Sequence, residues 1–367
     1  MPYLFILKNI LNKLRTIKKR PSFFRIFRKS KYIARSSPDD IEEQRYKYIP
    51  YQELWRSAIR CKLVHHYNNM SIRDLWRVAN EDDVDIYRYY DSSYINELKG
   101  ATEPIFIDAS YNNSHSHSHS HSHSHSHSHS HSRHNNNETY GKQAISVLLW
   151  SKEDTIYMTF YVDTNLEKSF LKKQTKLHTI FGKVSVNRYM HKYFISIVKP
   201  LITYLENFKN DKYNLVISGY SLGAVTTHIA SAVFAHMFPN LYVKCHTFGS
   251  PKAGNSAFVK WFSERVHENY RIINSNDPII MLPMGCKWTH AANVTLCFDK
   301  RLHISVFYRN MPWYKRLFEK RKIIRKIINN KGSHNFDTYI SQLWSYIRVT
   351  NYVYSTNDAD GIALTPL

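Results

Sequence analysis

Residues 214–228 read NLVISGYSLGAVTTH. "NLVIS" is apolar almost without interruption, and "SLGAVTTH" opens an Ala-rich stretch with helical character. A short run that is apolar throughout, rather than at alternate positions, is the mark of a strand buried on both faces, as in a parallel sheet. Between the two segments Gly219 and Gly223 bracket Ser221, so the chain can bend sharply from strand to helix with no side chain in the way. Such a bend holds the Ser221 hydroxyl at the C-terminal edge of the sheet. It also leaves the Leu222 N–H at a helix start, where it can meet a developing oxyanion. The plainer alternative is that Ser221 only caps the helix. Gly-x-Ser-x-Gly arises by accident in roughly one chain in ten of this length, so the surrounding sequence has to choose.

The surroundings supply an alternation. Upstream, "EPIFIDAS" reads as a short strand, "QAISVLLWS" and "DTIYMTFYVDT" as a hairpin, and "VNRYMHKYFISIVKPLITYLENF" as a long helix. Downstream come strand "YVKCHTFG", helix "NSAFVKWFSERV" and strand "NYRIINS". Strands separated by helices of this length predict an α/β fold, a mostly parallel central sheet with helices on both faces. Residues 37–350 read as one such domain, with helical patterning also in "YQELWRSAIRCKLVHHY".

A serine hydroxyl hardly ionises near neutral pH, so a nucleophilic Ser221 needs a base, and the base needs an orienting acid. Asp277 follows the apolar strand in "RIINSNDP", on the side where open α/β sheets place their sites. Asp299 and Asp337 lack that strand-to-loop setting. The candidate base is His334 in "GSHNFDTYI", with His290 in "WTHAANV" as its rival. His228 and His236 fall on the helix after the serine and read as surface or packing residues. His65 and His66 suggest no role.

These segments together resemble the class 3 lipases, the fungal triacylglycerol lipase type of α/β-hydrolase. "SGYSLGA" resembles that family's nucleophile elbow, usually written with His before the serine. "TFGSPKAGNSAF" (247–258) is similar to its strand-and-loop signature, "YRIINSNDPIIMLP" (270–283) to the segment bearing its acid, and "SHNFDTYI" to the segment bearing its base. The resemblance covers about residues 140–345. It implies Ser221 as nucleophile, Asp277 as acid and His334 as base, and leaves His290 on a position that is not catalytic. It further implies a serine ester hydrolase working on acylglycerol-type lipids without cofactor or metal. The alternative is an inactive lipase-like module that binds lipid or anionic membrane surfaces. One segment departs from the pattern. Where the family carries an Arg-Gly-Thr or Arg-Gly-Ser run, this chain has "TFYVDTN", so the second oxyanion donor beside Leu222 falls on Thr164, or on Asp163 if no gap is allowed. A carboxylate would repel an oxyanion, which favours Thr164. After it, "LEKSFLKKQTKL" lies where the family has its lid, and Leu166, Phe170 and Leu177 are the candidate covering residues.

Charge and composition place the rest. Of 367 residues 43% are hydrophobic and 14% aromatic, enough for a large core. The formal net charge is +22, most of it in two segments. Residues 1–36 hold eleven Lys or Arg and no acid, and residues 315–331 hold eight basic residues against Glu319. Both have amphipathic spacing: Leu4, Leu7, Leu11 and Leu14 in the first, Leu317, Ile324 and Ile328 in the basic insertion 313–331. Basic amphipathic helices suit an anionic membrane surface. Without a recognition module, a specific nucleic-acid partner is not expected. His alternates with Ser from Ser114 to Ser132. That tract has no apolar face, so residues 112–137 are expected to form a disordered insertion whose imidazoles could chelate metal. Residues 351–367 read as a tail. Cys286 and Cys297 have hairpin spacing for a pair, and Asn293 opens a glycosylation sequon. No run has the form of a cleavable signal peptide or reaches transmembrane length, and the compartment stays open.

Overall fold

The computed structural model describes residues 49–66, 69–80, 92–110, 143–162, 177–209, 212–283, 287–298, 304–308 and 334–357. The N-terminal basic segment, the His-Ser tract and the basic insertion 313–331 lie outside the described residues, as do Asp163, Thr164, Leu166, Phe170, Cys286 and Asp299. Contacts divide the chain into Met1–Tyr51 and Gln52–Leu367, and the second unit carries the sheet. Among the described residues no helix is long and apolar enough to cross a membrane.

Among the described residues, eight strands form the central sheet: β1 (Ile105–Ser110), β2 (Gln143–Lys152), β3 (Thr155–Val162), β6 (Asn214–Tyr220), β7 (Tyr242–Phe248), β8 (Glu268–Asn274), β9 (Val294–Phe298) and β10 (Ile304–Tyr308), adjacent in that order. Strands β3, β6, β7, β8 and β9 pair in parallel. The additions at both edges, β1–β2–β3 and β9–β10, are antiparallel. The parallel centre follows from composition: residues 215–220 of β6 are all buried, as a strand covered on both faces must be.

Helices cover the two faces, and one pair of neighbouring residues shows how. On β7, Cys245 faces Ser231 of α5 (Ser221–Met237), while His246 bonds Ser57 of α1 (Tyr51–His66), Nδ1 to Oγ 2.7 Å. Successive strand residues point to opposite faces, so α5 and α1 lie on opposite sides. With α1 go α2 (Asn69–Asn80), α3 (Ser92–Leu98) and α7 (Phe336–Asn357). Trp55 of α1 and Trp344 of α7 meet with ring centroids 4.9 Å apart. Leu63, Leu75 and Leu98 join Leu148 and Trp150 of β2 in one cluster. With α5 go α4 (Arg188–Glu206) and α6 (Ser256–Ser263). Helix α4 buries Met190, Tyr193, Phe194, Ile197, Val198, Leu201 and Leu205, the stripe of a one-sided helix.

Two expectations, on the long helix and on the tail, are corrected, and one open reading is decided. The long helix begins later than its periodicity suggests: Val184–Asn187 is strand β5, paired with β4 (Leu177–Phe181), and Asn187 caps α4 by accepting from the Tyr189 and Met190 N–H groups. Its β-branched residues and the Gly182 turn favour the hairpin. Of the two readings offered for His228, packing holds, since α5 is apolar nearly all round and lies buried along most of its length. The final helix runs on past residue 350, to Asn357.

Candidate functional site

At the end of β6 the chain turns on Ser221, whose φ of 54° is unusual for a residue with a side chain. Strain of this kind persists where the surroundings over-determine it. Here both flanking glycines are required by close approach. A Cβ on Gly219 would stand 2.5 Å from Thr227 Oγ1, and one on Gly223 would run into the Phe160 carbonyl of β3. The elbow is therefore pressed against its own helix and the neighbouring strand. Leu222 lies in the first turn of α5, where backbone N–H groups have no intrahelical partner.

Ser221 Oγ lies 2.7 Å from His334 Nε2, and His334 Nδ1 lies 2.6 Å from Asp277 Oδ2. Three elements from distant parts of the chain meet here: the β6–α5 elbow, the loop after β8 and the residue leading into α7. Each is placed locally. Asn335 Oδ1 accepts from the Asp337 N–H at 2.9 Å, which starts α7 just after His334. Asp277 is held by its own N–H donating to Asn274 O at 3.1 Å, and by the Ile279 N–H donating to Asp277 Oδ1 at 2.8 Å.

Asp277 is 0% exposed, and its neighbours fix its form. The Tyr339 hydroxyl donates to Oδ2 at 2.6 Å, alongside His334 Nδ1, and the Ile279 N–H donates to Oδ1. A group that only accepts is an ionised carboxylate. Burial, together with the Asp277 charge, pushes the Tyr339 phenol well above its ordinary range, so it remains a donor. With Asp277 accepting, the His334 proton sits on Nδ1 and Nε2 is left to accept from the Ser221 O–H.

Around this chain lies an aromatic wall. The Tyr220 ring stacks on His334 (centroids 4.7 Å, planes 14° apart) and on Phe336 (4.4 Å, 25°). His65 meets Tyr161 edge-on at 4.5 Å and lies 5.9 Å from Tyr220. Behind Asp277, Arg271 is buried and donates to the Ser250 and Ile280 carbonyls at 3.0 and 3.3 Å. Burial, against the attractions of Tyr339, Cys297 and Asp277, brings its guanidinium down to about 10. Burial, aided by the Arg271 charge, holds His228 at about 3, so its imidazole is neutral.

The imidazole bonded to Ser221 is thus that of His334, while His290 follows Thr289, which bridges to Gly254. Asp337 is exposed and faces Lys62 at 3.2 Å. Leu177 opens β4, and Cys297 is buried on β9. Sequence reasoning missed Tyr339, Tyr220 and Arg271 as members of this site. The signal for Tyr339 lay in "SHNFDTYI": five residues beyond His334, it stands on the first turns of the helix that His334 leads into.

Residues 159–286 match the family model described as Lipase (class 3). Secreted mono- and diacylglycerol lipase A of Penicillium cyclopium is 35% identical over 77 residues, 21% of this chain and 24% of that protein. Secreted mono- and diacylglycerol lipase 1 of Fusarium solani is 36% identical over 76 residues, 20% and 22% of the two chains. The chain therefore matches about a quarter of the length of these relatives. Among solved structures, the Rhizomucor miehei triacylglyceride lipase aligns with a TM-score of 0.45 and 15% identity, over 74% of this chain and 84% of that one. The family match begins in β3, takes in the elbow and the Asp277 loop, and ends just beyond them, so over this segment the chain is similar to the class 3 lipases.

Proposed function

We propose that this protein is a serine ester hydrolase, a lipase acting on acylglycerol-type lipids. The observation that carries the reading is the unbroken hydrogen-bonded chain Ser221–His334–Asp277, at 2.7 and 2.6 Å, starting on a strained elbow and ending on a buried carboxylate. His334 Nε2 takes the Ser221 proton as the oxygen attacks the ester carbonyl. The tetrahedral oxyanion is held by the Leu222 N–H and a second donor at Thr164. As the intermediate collapses, His334 gives its proton to the departing alcohol and leaves an acyl-Ser221 ester. Water then repeats the attack and releases the fatty acid. Asp277 holds the imidazole in one tautomer and stabilises its cation. The steps balance with ester and water alone.

Thr164 is supported by its place in the chain. Strand β3 runs parallel to β6 with Phe160 opposite Gly219, and ends at Val162 on the edge where Ser221 stands. The substrate class is supported by the fungal relatives, which are mono- and diacylglycerol lipases. Leu166, Phe170 and Leu177 are proposed to cover the acyl groove, and the basic segments 1–36 and 315–331 to meet an anionic lipid surface.

Hydrolysis of a p-nitrophenyl ester by wild type and by Ser221→Ala tests the reading, with a fluorophosphonate probe locating the reactive residue. Ser221-dependent turnover, and labelling lost in His334→Ala, is the expected result. Equal rates in wild type and Ser221→Ala would leave an inactive lipid-binding module instead. A panel of mono-, di- and triacylglycerols and phospholipids then assigns the substrate.

A further inference from the structure

Resting on the triad proposed above, we infer that Tyr220 is a positioning residue for His334, its ring face fixing the tilt of the imidazole and stabilising the cation formed on it. The geometry of the imidazole leads to this. Both ring nitrogens are engaged in the plane of the ring, Nδ1 by Asp277 and Nε2 by Ser221. Two in-plane bonds leave the ring one freedom, rotation about the line joining them. A flat partner on the face removes it, and Tyr220 is that partner, 4.7 Å away and 14° from parallel.

The Tyr220 ring is itself held. It is 8% exposed, stacked on Phe336 at 4.4 Å and within 6.0 Å of the Tyr339 ring. The backbone sets its direction too. Ser218, two residues earlier on β6, faces Cys61 of α1, and the period of two sends Tyr220 to the same side. That is the side of α7, which His334 precedes. The aromatic face carries the negative lobe of the ring quadrupole, so it attracts a cation laid against it. The His334 side chain is 13% exposed, so water screens this attraction only in part. The other groups facing the site are Asp277 and Arg271 from the β8 region, Tyr339 on α7, Ser221 on the elbow and His65 on α1. Asp277 acts on the imidazole edge and Tyr220 on its face, so the two contributions are separable by mutation.

The test titrates the His334 imidazole by NMR in the full chain, its signal identified by its loss in His334→Ala, and in parallel measures kcat/KM against pH with a soluble ester. The variants are Tyr220→Phe, Tyr220→Leu and Tyr220→Met. Phe keeps the ring face and is expected to titrate as wild type, with kcat/KM within about twofold. Leu and Met are each expected to titrate about 0.5 to 1 pH unit lower, with kcat reduced about three- to tenfold, since a cation–π contact of about 1 kcal/mol corresponds to that range. A purely structural role would lower kcat and leave the titration in place. Unchanged titration in folded Leu and Met variants overturns the inference. If Leu does not fold, the unbranched Met variant decides alone. The NMR arm needs no turnover: a shifted titration in a protein lacking Ser221-dependent hydrolysis would keep the stacking role and remove the proposed function, whereas hydrolysis with unshifted titration would do the reverse.

Discussion

Gly249→Ala should damage the proposed catalytic chain without replacing any of its members. Gly249 follows β7 with φ +57°, and a Cβ there would lie 3.1 Å from His334 Cε1, 3.1 Å from Tyr339 Oη and 3.2 Å from Asp277 Oδ2. A left-handed conformation costs a residue with a side chain about 1–2 kcal/mol. The contacts add to this, because the three neighbours must give by a few tenths of an ångström. Asp277 and Tyr339 are fully buried and joined by a 2.6 Å bond, so they have little room to withdraw. Overpacking of this kind costs about 1–3 kcal/mol more, for a total of about 2–5 kcal/mol. Gly182 provides the matched control: its φ is +52°, and a Cβ there meets nothing within 4 Å. Gly182→Ala should pay the backbone term alone. Urea unfolding and hydrolysis of a soluble ester, measured on both variants, separate the two effects. Gly249→Ala should unfold at clearly lower urea than Gly182→Ala. Its kcat should fall about ten- to a hundredfold, because proton transfer is sensitive to misplacement of this size, while Gly182→Ala keeps wild-type kcat. Equal stability of the two variants, with kcat unchanged in Gly249→Ala, would refute the packing argument.

Other perturbations probe the surroundings. Tyr339→Phe removes one of the donors to the buried Asp277 carboxylate and should cost about 1.5–3 kcal/mol in urea unfolding, with a fall in kcat larger than any change in KM. The buried His228 and His246 are held by desolvation at about 3 and about 4 in the folded protein. An unfolded histidine titrates near 6.5, so between there and pH 4 the unfolded chain binds protons that the folded one refuses. Stability should therefore fall with pH through this window, by about 1.4 kcal/mol per unit for each residue, and His246→Gln should remove its share of the slope between pH 7 and 5. Arg60 is 1% exposed, paired with Glu97 at 2.8 Å and Glu53 at 3.0 Å. Arg60→Ala should cost about 3–5 kcal/mol by leaving the largely buried Glu97 with the longer 3.7 Å pair to the exposed Arg56, and a loss much smaller than this in chemical denaturation would contradict it.

The parallel core was legible because each of its elements carries one strong local signal. "NLVIS" carries Leu, Val and Ile in succession and "YRIIN" carries two Ile together, and the intervening helices have their own period. What stayed hidden depends on a partner far along the chain. Arg60 stands in a segment correctly read as helix, yet a charged residue reads as surface until Glu53 and Glu97 are seen to enclose it. The hairpin of β4 and β5 is only 5 and 4 residues a strand, too short to compete with the strong helical period that follows it. Arg271 enters the site through side-chain bonds to the Ser250 and Ile280 carbonyls, which leave no period or motif in the sequence.

The residue before the serine belongs to the same category, and it changes how the opening motif should be understood. In Gly219-Tyr220-Ser221-Leu222-Gly223 the two variable positions look equivalent on paper. They are not equivalent in space. Leu222 is already helical, and what it offers an oxyanion is a backbone N–H that any residue would supply. Tyr220 is the last residue of a strand whose alternation is fixed by Ser218 facing Cys61, so its side chain has to go to the face that α7 and His334 occupy. Whatever stands at position 220 must pack against the imidazole. A change there should therefore register on His334 before it registers on the elbow, and a change at Leu222 should do the opposite.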